Sequence, residues 1–166
     1  LTQDRQILAW TGPKPSPPRP GLRPENLSGI VIDEQKASRQ GFEQSGTTVY
    51  PYVLEGYLHD GDANKGAQHA TFEFMVPRTG QYEVRIGYTT HSNRATNVPV
   101  TIQHAAGSNT ITINQKKPPV IEGLFQPIGI FQFLIGSTYT VKITNEGTDG
   151  YVILDAIQIV PSQNES

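Results

Sequence analysis

Apolar and polar residues alternate along most of the chain after residue 29, with the period of two that marks strands having one buried face. Every second residue of segment 70–76 is apolar, and the same alternation returns in segment 82–88. Between them, the Pro-Arg-Thr-Gly sequence of residues 77–80 is typical of a tight turn. These two segments are therefore predicted to form an antiparallel hairpin.

Similar alternation predicts further strands at 29–33, 98–102, 110–114, 129–135 and 139–143. The last segment, 151–160, is apolar on both faces except at Asp155 and Gln158, which is typical of a central strand. We expect Asp155 to be structural and to accept backbone N–H groups, because a buried carboxylate needs hydrogen bonds. About seven or eight short strands predict an all-β fold, a two-sheet antiparallel β-sandwich of jelly-roll type. The alternation alone leaves a closed barrel as an alternative.

The first part of the chain has a different composition. Residues 11–24 contain six of the 13 prolines, and proline fixes φ and lacks an N–H group, so this stretch can be neither helix nor central strand. It predicts an extended, polyproline-like arm that acts as a linker rather than a docking peptide, preceded by a helical turn at 4–10. The predicted organisation is an arm at 1–26, a sandwich module at 27–161 and a tail at 162–166.

Charge and cysteine content exclude several classes of function. The formal net charge is −2, and 17% of the residues are charged, so no global field would attract nucleic acid. No apolar run is long enough to cross a bilayer, which predicts no membrane insertion. Cysteine is absent, and this excludes disulfides, thiolate metal sites and a cysteine nucleophile.

The residue patterns that catalysis requires are also missing. The nucleophile pattern Gly-x-Ser-x-Gly does not occur, and the four histidines, at 59, 69, 91 and 104, lack the spacing of metal ligands. No pair of carboxylates is singled out for glycoside hydrolysis. We therefore expect a module that has no catalytic residues.

Segment 60–66 is a candidate metal site, because it places oxygen-bearing side chains at alternate positions. Asp60, Asp62 and Asn64 are candidate ligands for Ca²⁺, which prefers oxygen. A full EF-hand loop would have glycine at its sixth position and glutamate at its twelfth, where this chain has Lys65 and Thr71. The alternative is a polar surface turn in which the Asp and Asn side chains bond their own backbone.

The polar loop at 90–97 is the first candidate for ligand binding. It offers Asn93, Arg94 and Asn97, and such side chains suit hydroxyl-rich or carboxylate-bearing ligands because arginine can hold an anion through two N–H groups. The alternative for Arg94 is structural, since its guanidinium could fold back and bond the carbonyl groups of its own loop.

Two other segments complete the candidate ligand-binding set. Tyr57 and His59 precede the acidic segment, and Gln115 opens a polar loop at 115–119. Tyr57, together with Tyr50 and Tyr52, could also supply an aromatic platform on which a sugar ring stacks. The loops around these residues are therefore predicted to form the binding surface.

Several motifs resemble one protein family. Gly-Ile-Val-Ile-Asp at 29–33, Gly-Phe-Glu-Gln-Ser at 41–45 and Tyr-Leu-His-Asp at 57–60 are similar to its opening. Gly-Gln-Tyr-Glu-Val-Arg at 80–85, Asn-Arg-Ala at 93–95 and Gly-Tyr-Val-Ile-Leu-Asp-Ala-Ile at 150–157 are similar to its later part. Over residues 27–161 the chain resembles the golvesin and xanthan-lyase type carbohydrate-binding-like domain. Phe42 stands where that family often has tryptophan.

The resemblance implies a non-catalytic accessory module that binds polysaccharide, in a bacterial protein that is periplasmic, secreted or at the cell surface. Residues 7–14 followed by such a domain resemble the C-terminal region of planctomycete-type FAD-dependent oxidoreductases. The alternative is therefore a structural domain that docks on an upstream catalytic domain or subunit of such an enzyme and binds no sugar. The chain lacks the Gly-x-Gly-x-x-Gly fingerprint, so it is not expected to bind FAD in that manner by itself.

Overall fold

The computed structural model describes residues 21–162. The predicted helical turn at 4–10, most of the proline-rich arm and residues 163–166 lie outside this range. Two short 3₁₀ helices, Pro24–Asn26 and Glu34–Lys36, occur among the strands. In the described range, no helix has the length and apolar character needed to cross a membrane.

Twelve strands form within residues 21–162. In chain order they are β1 (Ile30–Asp33), β2 (Ser38–Gln40), β3 (Gln44–Gly46), β4 (Tyr57–His59), β5 (His69–Phe74), β6 (Gly80–Gly87), β7 (Val98–His104), β8 (Gly107–Ile113), β9 (Phe125–Phe133), β10 (Tyr139–Thr144), β11 (Ile153–Leu154) and β12 (Ala156–Pro161). The alternation of apolar residues had predicted most of the long strands, and the short strands β2, β3 and β4 lie in the segment where it is least regular.

Three antiparallel sheets make up the fold. One has four strands in the order β1-β12-β6-β9, and the sheet opposite it has five in the order β2-β5-β10-β7-β8. A small third sheet has the order β11-β4-β3. Apolar side chains of both large sheets fill one common core. The predicted all-β sandwich is confirmed, and the sheets remain separate rather than closing into one barrel.

The predicted hairpin of segments 70–76 and 82–88 is wrong. β5 pairs with β2 and β10, whereas β6 pairs with β12 and β9. The turn between them therefore carries the chain across the core from one sheet to the other. Both strands direct apolar residues into the same interior from opposite sides, so their alternation cannot be distinguished from that of a hairpin. The hairpin of β7 and β8 does form.

The last apolar segment is two strands rather than one. β11 pairs with β4 in the small sheet, and β12 lies between β1 and β6 in the four-stranded sheet. Asp155 is the residue between them, and its carboxylate accepts the backbone N–H of Val53 at 3.0 Å. The predicted central position is confirmed for β12 but not for β11, which lies at the edge of the small sheet. The hydrogen bond from Val53 agrees with the structural role predicted for Asp155.

The end of the predicted arm contacts the sandwich. Leu22 donates its N–H to the carbonyl of Tyr52 and accepts the N–H of Leu54, both at 2.8 Å. Gly21 permits this approach, because a Cβ atom there would lie 1.8 Å from the carbonyl oxygen of Leu54. Residues 21 and 22 are therefore part of the folded unit in the structure, whereas the sequence pattern had assigned them to the arm.

Phe133 joins the two large sheets. This fully buried residue of β9 contacts the ring of Tyr82 in the neighbouring strand, with centroids 6.1 Å apart. On the facing sheet it meets Phe74 at 5.1 Å and Tyr139 at 4.9 Å. All three contacts are edge-to-face, the geometry that the charge distribution of aromatic rings favours. This cluster therefore holds one end of the sandwich together.

Replacing Phe133 by alanine should lower the free energy of unfolding by about 3–5 kcal/mol, because it removes a large buried side chain and leaves a cavity. Ile130→Ala is the matched control in the same strand, since that side chain is 44% exposed. The control should change stability by less than about 1 kcal/mol. Urea denaturation followed by circular dichroism measures both. Equal losses in the two variants would contradict the assigned packing.

Candidate functional site

Three loops meet at one end of the sandwich. They are residues 60–68 before β5, residues 88–97 before β7 and residues 145–152 after β10. Strand register brings them together, because Thr144 at the end of β10 pairs with His69 at the start of β5. We call these three segments the loop cluster. Most of the residues predicted to bind a ligand or a metal lie in it or next to it.

Asn145 connects two of these loops from the interior. Its side chain is fully buried, and its Oδ1 accepts the backbone N–H groups of Gly66 at 2.9 Å and Gln68 at 3.2 Å. Its Nδ2 donates to Asp60 Oδ2 at 2.9 Å and to the carbonyl of Ala63 at 3.0 Å. One amide therefore fixes the path of the whole 60–68 loop.

Asp60 is the acceptor at the centre of this network. Its buried carboxylate accepts hydrogen bonds from Lys65 Nζ at 2.9 Å and from the backbone of Asp62 and Val152 at 2.9 and 3.0 Å. Burial acts to raise the pKa of Asp60, but the hydrogen bonds from Val152, Lys65 and Asn145 outweigh it and hold the pKa below its usual value. Asp60 is therefore an ionised, structural carboxylate at neutral pH.

The calcium site at Asp60, Asp62 and Asn64 stays a prediction. Between the first two carboxylates lies the ammonium group of Lys65, 2.9 Å from Asp60 Oδ2 and 3.0 Å from Asp62 Oδ1. A bound cation would have to displace this ammonium group. The surface turn that was the alternative is present, since Asp60 accepts the N–H of Asp62 two residues later.

Arg94 is buried at the base of the loop cluster. Its Nε and Nη2 donate to the carbonyl and the hydroxyl of Thr89, both at 2.9 Å, and its Nη1 donates to Asn93 Oδ1 at 2.8 Å. The structural alternative, that Arg94 pins its own loop, is confirmed. Its partners carry no negative charge, so the guanidinium charge is not balanced by a contacting carboxylate.

Tyr57 and His59 lie beside Arg94. The guanidinium carbon is 5.7 Å from the centre of the Tyr57 ring, a cation–π contact. Tyr57 is buried, and its hydroxyl group pairs with Thr48 Oγ1 at 3.1 Å. It therefore cannot be the exposed stacking platform that the sequence suggested, and Tyr52 is buried as well.

His59 is half-buried and forms an edge-to-face pair with Tyr151, with ring centres 5.5 Å apart. Burial lowers the pKa of His59, with Asp60 opposing the decrease and Arg94 adding to it. The ring is therefore neutral at pH 7, and its Nδ1 accepts the N–H of Gly61 at 3.0 Å. Tyr151 is also half-buried, so the pair presents an aromatic edge at the surface.

The remaining three candidates have different positions. Asn93 is exposed in the loop cluster. Asn97 is tied to the neighbouring loop, because its Nδ2 donates to the carbonyl of Gly147 and its Oδ1 accepts the N–H of Asp149. Gln115 is fully buried and exchanges two hydrogen bonds with the backbone of Ile153, at 2.8 and 3.0 Å. The assignment of Gln115 as a ligand-binding residue is corrected, since it supports β11 from inside.

Tyr151 is the residue that the sequence reasoning missed as part of the site. Its backbone N–H bonds the carbonyl of Asn93 at 3.0 Å, and its carbonyl accepts the N–H of Ala95 at 2.8 Å. Gly150 allows this contact, because a Cβ there would be 2.7 Å from the carbonyl oxygen of Arg94. The Gly-Tyr pair ahead of an apolar strand was visible in the sequence, but its partner loop was not.

The chain matches the model of the Golvesin C-terminal domain family over residues 30–161. It belongs to this family. A xanthan lyase from Bacillus sp. (strain GL1) is 35% identical over 149 residues, which cover 87% of this chain and 16% of the lyase. The chain thus spans about a sixth of that relative's length. The resemblance to golvesin and xanthan-lyase type domains is confirmed.

Solved structures share the fold. A xanthan lyase from Paenibacillus superposes with a TM-score of 0.74 at 33% identity, covering 81% of this chain and 13% of the lyase. The CBM35 of Cellvibrio japonicus Abf62 superposes with a TM-score of 0.56 at 13% identity, covering 82% of this chain and 95% of the module. At that identity the second match shows the fold alone. Membership of this family and a fold shared with a binding module agree with the interpretation of the segment as non-catalytic.

Asp60→Asn should lower the free energy of unfolding at pH 7 by about 3 kcal/mol, because it leaves buried donors without their charged acceptor. The folded-state pKa of Asp60 is lowered, so this stabilisation is present above the unfolded pKa of about 3.9 and is lost as pH falls through the folded value. The stability difference between the two proteins should therefore shrink in acid. Denaturation at several pH values measures it.

Asp62→Asn is the matched control for Asp60→Asn. Asp62 pairs with the same lysine, but its side chain is 45% exposed. An exposed ion pair contributes at most about 1 kcal/mol, so this variant should remain close to wild type. A large loss in Asp62→Asn, or a loss in Asp60→Asn that does not change with pH, would contradict the role assigned to Asp60.

Proposed function

We propose that this domain is a non-catalytic accessory module that binds polysaccharide at the loop cluster. The observation that carries the proposal is the guanidinium of Arg94, whose hydrogen-bond partners are uncharged, beside the half-buried pair of His59 and Tyr151. A saccharide with a carboxylate substituent could be bound by these groups, because the aromatic edge would contact the sugar ring, the cation would attract the carboxylate and the polar donors would bond the hydroxyl groups. The matches to two xanthan lyases support the class of ligand.

The proposed contact surface consists of Tyr151, His59 and Asn93, with the buried guanidinium of Arg94 next to it. Tyr151 would lie against a sugar ring, and the amide of Asn93 would bond its hydroxyl groups. Arg94 is only 6% exposed, so it would favour an anionic ligand through its positive charge rather than through direct hydrogen bonds. Affinity per site should be modest, because the surface is small and few groups are ordered on binding.

Tyr151→Ala should weaken binding to an acidic polysaccharide such as xanthan by about tenfold or more, equivalent to ~1.4 kcal/mol. Phe131→Ala is the matched control, because Phe131 is half-buried and stacks on His104 at 4.8 Å away from the loop cluster. Affinity electrophoresis of the chain in gels with and without the polysaccharide measures both variants. The control should migrate as the wild type does.

A neutral glucan in the same assay tests the role of the Arg94 charge. Retardation should be stronger in the acidic polysaccharide and should decrease as salt is added, because salt weakens the attraction between the Arg94 charge and an anionic ligand at the protein surface. The proposed function would be contradicted if the wild-type protein bound neither polysaccharide, or if Tyr151→Ala and Phe131→Ala lost the same amount of binding affinity.

The end of the sandwich opposite the loop cluster favours a second candidate function. Ile135 is 60% exposed, and Leu134 and Met75 are 44% and 53% exposed. The N–H of Ile135 bonds Thr79 Oγ1 at 2.8 Å, which brings the two turns that carry these residues together. Exposed apolar side chains of this size are typical of docking surfaces. The domain would then pack on another part of its parent protein.

Ile135→Ser separates the docking function from the first proposal. In the docking case, the full-length protein should become more susceptible to proteolysis next to this domain when Ile135 is replaced, because the domain detaches. Polysaccharide binding at the other end should not change. Limited proteolysis of the full-length protein and of its variant measures this, and identical cleavage would argue against docking at this surface.

Two further features of the parent protein are proposals. An extracytoplasmic location is supported by the relationship to xanthan lyases. The assignment of the parent protein as an FAD-dependent oxidoreductase rests on the resemblance of residues 7–14. The flavin absorption spectrum of the purified full-length protein tests it.

A further inference from the structure

Three carboxylates that the proposed function does not use lie close together inside the domain. Asp33 ends β1, Glu34 begins the 3₁₀ helix that follows, and Asp155 separates β11 from β12. Their exposed fractions are 4%, 3% and 1%. One oxygen from each lies within 4.8 Å of the other two. Three potential negative charges are thus concentrated inside the protein.

The hydrogen bonds around this cluster leave it incomplete. Val53 donates its N–H to Asp155, and Gln35 donates its backbone N–H to Asp33 Oδ2 and its side-chain amide to Glu34 Oε2. Oδ1 of Asp33 and Oε1 of Glu34 are buried with no hydrogen-bond partner. Buried polar atoms normally have partners, so these two oxygens point to a group that is bound there.

No positive charge in the described part of the chain contacts the cluster. The ion pairs found within residues 21–162 join Arg23 to Glu25, Lys65 to Asp60 and Asp62, and Arg85 to Glu83. The cluster must therefore hold protons or a cation, because three buried carboxylates without either would repel one another.

We propose that Asp33, Glu34 and Asp155 bind one buried Ca²⁺ ion that joins the first strand to the last. Two oxygens that bind one Ca²⁺ at about 2.4 Å can be at most about 4.8 Å apart, and one oxygen of each carboxylate lies within that distance of the other two. Mg²⁺ requires nearly octahedral geometry and loses its water ligands reluctantly, so a buried carboxylate cluster suits Ca²⁺ better. Hard carboxylate oxygens in a cluster without nitrogen or sulfur ligands also favour Ca²⁺ over zinc or copper.

This site differs from the calcium site that the sequence pattern predicted. At Asp60 the ammonium of Lys65 already supplies the positive charge, whereas the buried cluster has no such group. The sequence pattern missed it because Asp155 lies 121 residues after Glu34. The ion would be structural, since all three side chains are inside the domain and away from the loop cluster.

The proposal is tested on the chain after metal is removed with a chelator. Isothermal titration with CaCl₂ should show one ion bound per chain. A hundredfold excess of Ca²⁺ over its Kd should raise the Tm by about 5–10 °C. Mg²⁺ at the same concentration should raise it much less. The absence of both a binding isotherm and a Tm shift would overturn the proposal in favour of a protonated cluster.

Glu34→Gln and Asp62→Asn locate the ion. Glu34→Gln keeps the shape of the side chain and removes one negative charge and one ligand oxygen, so the variant should fold and lose most of the Ca²⁺-dependent Tm shift. Without metal, the Tm of this variant should equal or exceed that of the wild type, because the substitution removes a buried carboxyl group whose hydrogen bonds are incomplete. Asp62→Asn should keep the full response to Ca²⁺. The reverse pattern, with the response lost in Asp62→Asn and kept in Glu34→Gln, would overturn the proposal.

Discussion

The passage of the chain from one sheet to another at Asp155 is the constraint on which the rest of the structure depends. β11 belongs to the small sheet and β12 to the centre of the four-stranded sheet, with this one residue between them. Its carbonyl accepts the N–H of Glu34 at 2.6 Å and its carboxylate accepts the N–H of Val53. Because buried backbone groups have to be paired, the crossing fixes the first strand and the segment around Val53 at the same time.

The loop cluster depends on the same strand. Val152, just before β11, donates its N–H to Asp60 and accepts the N–H of Asp60 in return. Gln115 supports Ile153 from the other side. Tyr151 therefore reaches the surface at a position set by buried contacts on both sides of the chain. For the proposed ligand, groups that are already held in place would reduce the entropy lost on binding.

The buried charged groups of this domain differ in whether an oppositely charged side chain contacts them. This difference distinguishes a structural ion pair from the two candidate binding sites. Asp60 faces the ammonium of Lys65, so that pair is balanced internally. Arg94 is held by uncharged groups, and none of the ion pairs found within residues 21–162 involves the three carboxylates at Asp155. A buried charge without an internal counterion is costly. The anionic ligand proposed at Arg94 and the Ca²⁺ proposed at the three carboxylates would each supply the missing opposite charge.

The sequence by itself determined the fold class, because the alternation of apolar residues in segments such as 70–76 and 82–88 depends only on local burial. It also indicated the family, because short motifs carry the resemblance. It could not decide that β5 and β6 belong to different sheets, since residues facing one core from either side give the same pattern. Candidate loops were found through their polar residues, but Gln115 proved to be buried and Tyr151 was missed. Which side chains meet depends on strand register and on contacts between distant residues such as Glu34 and Asp155, and only the tertiary structure decides those.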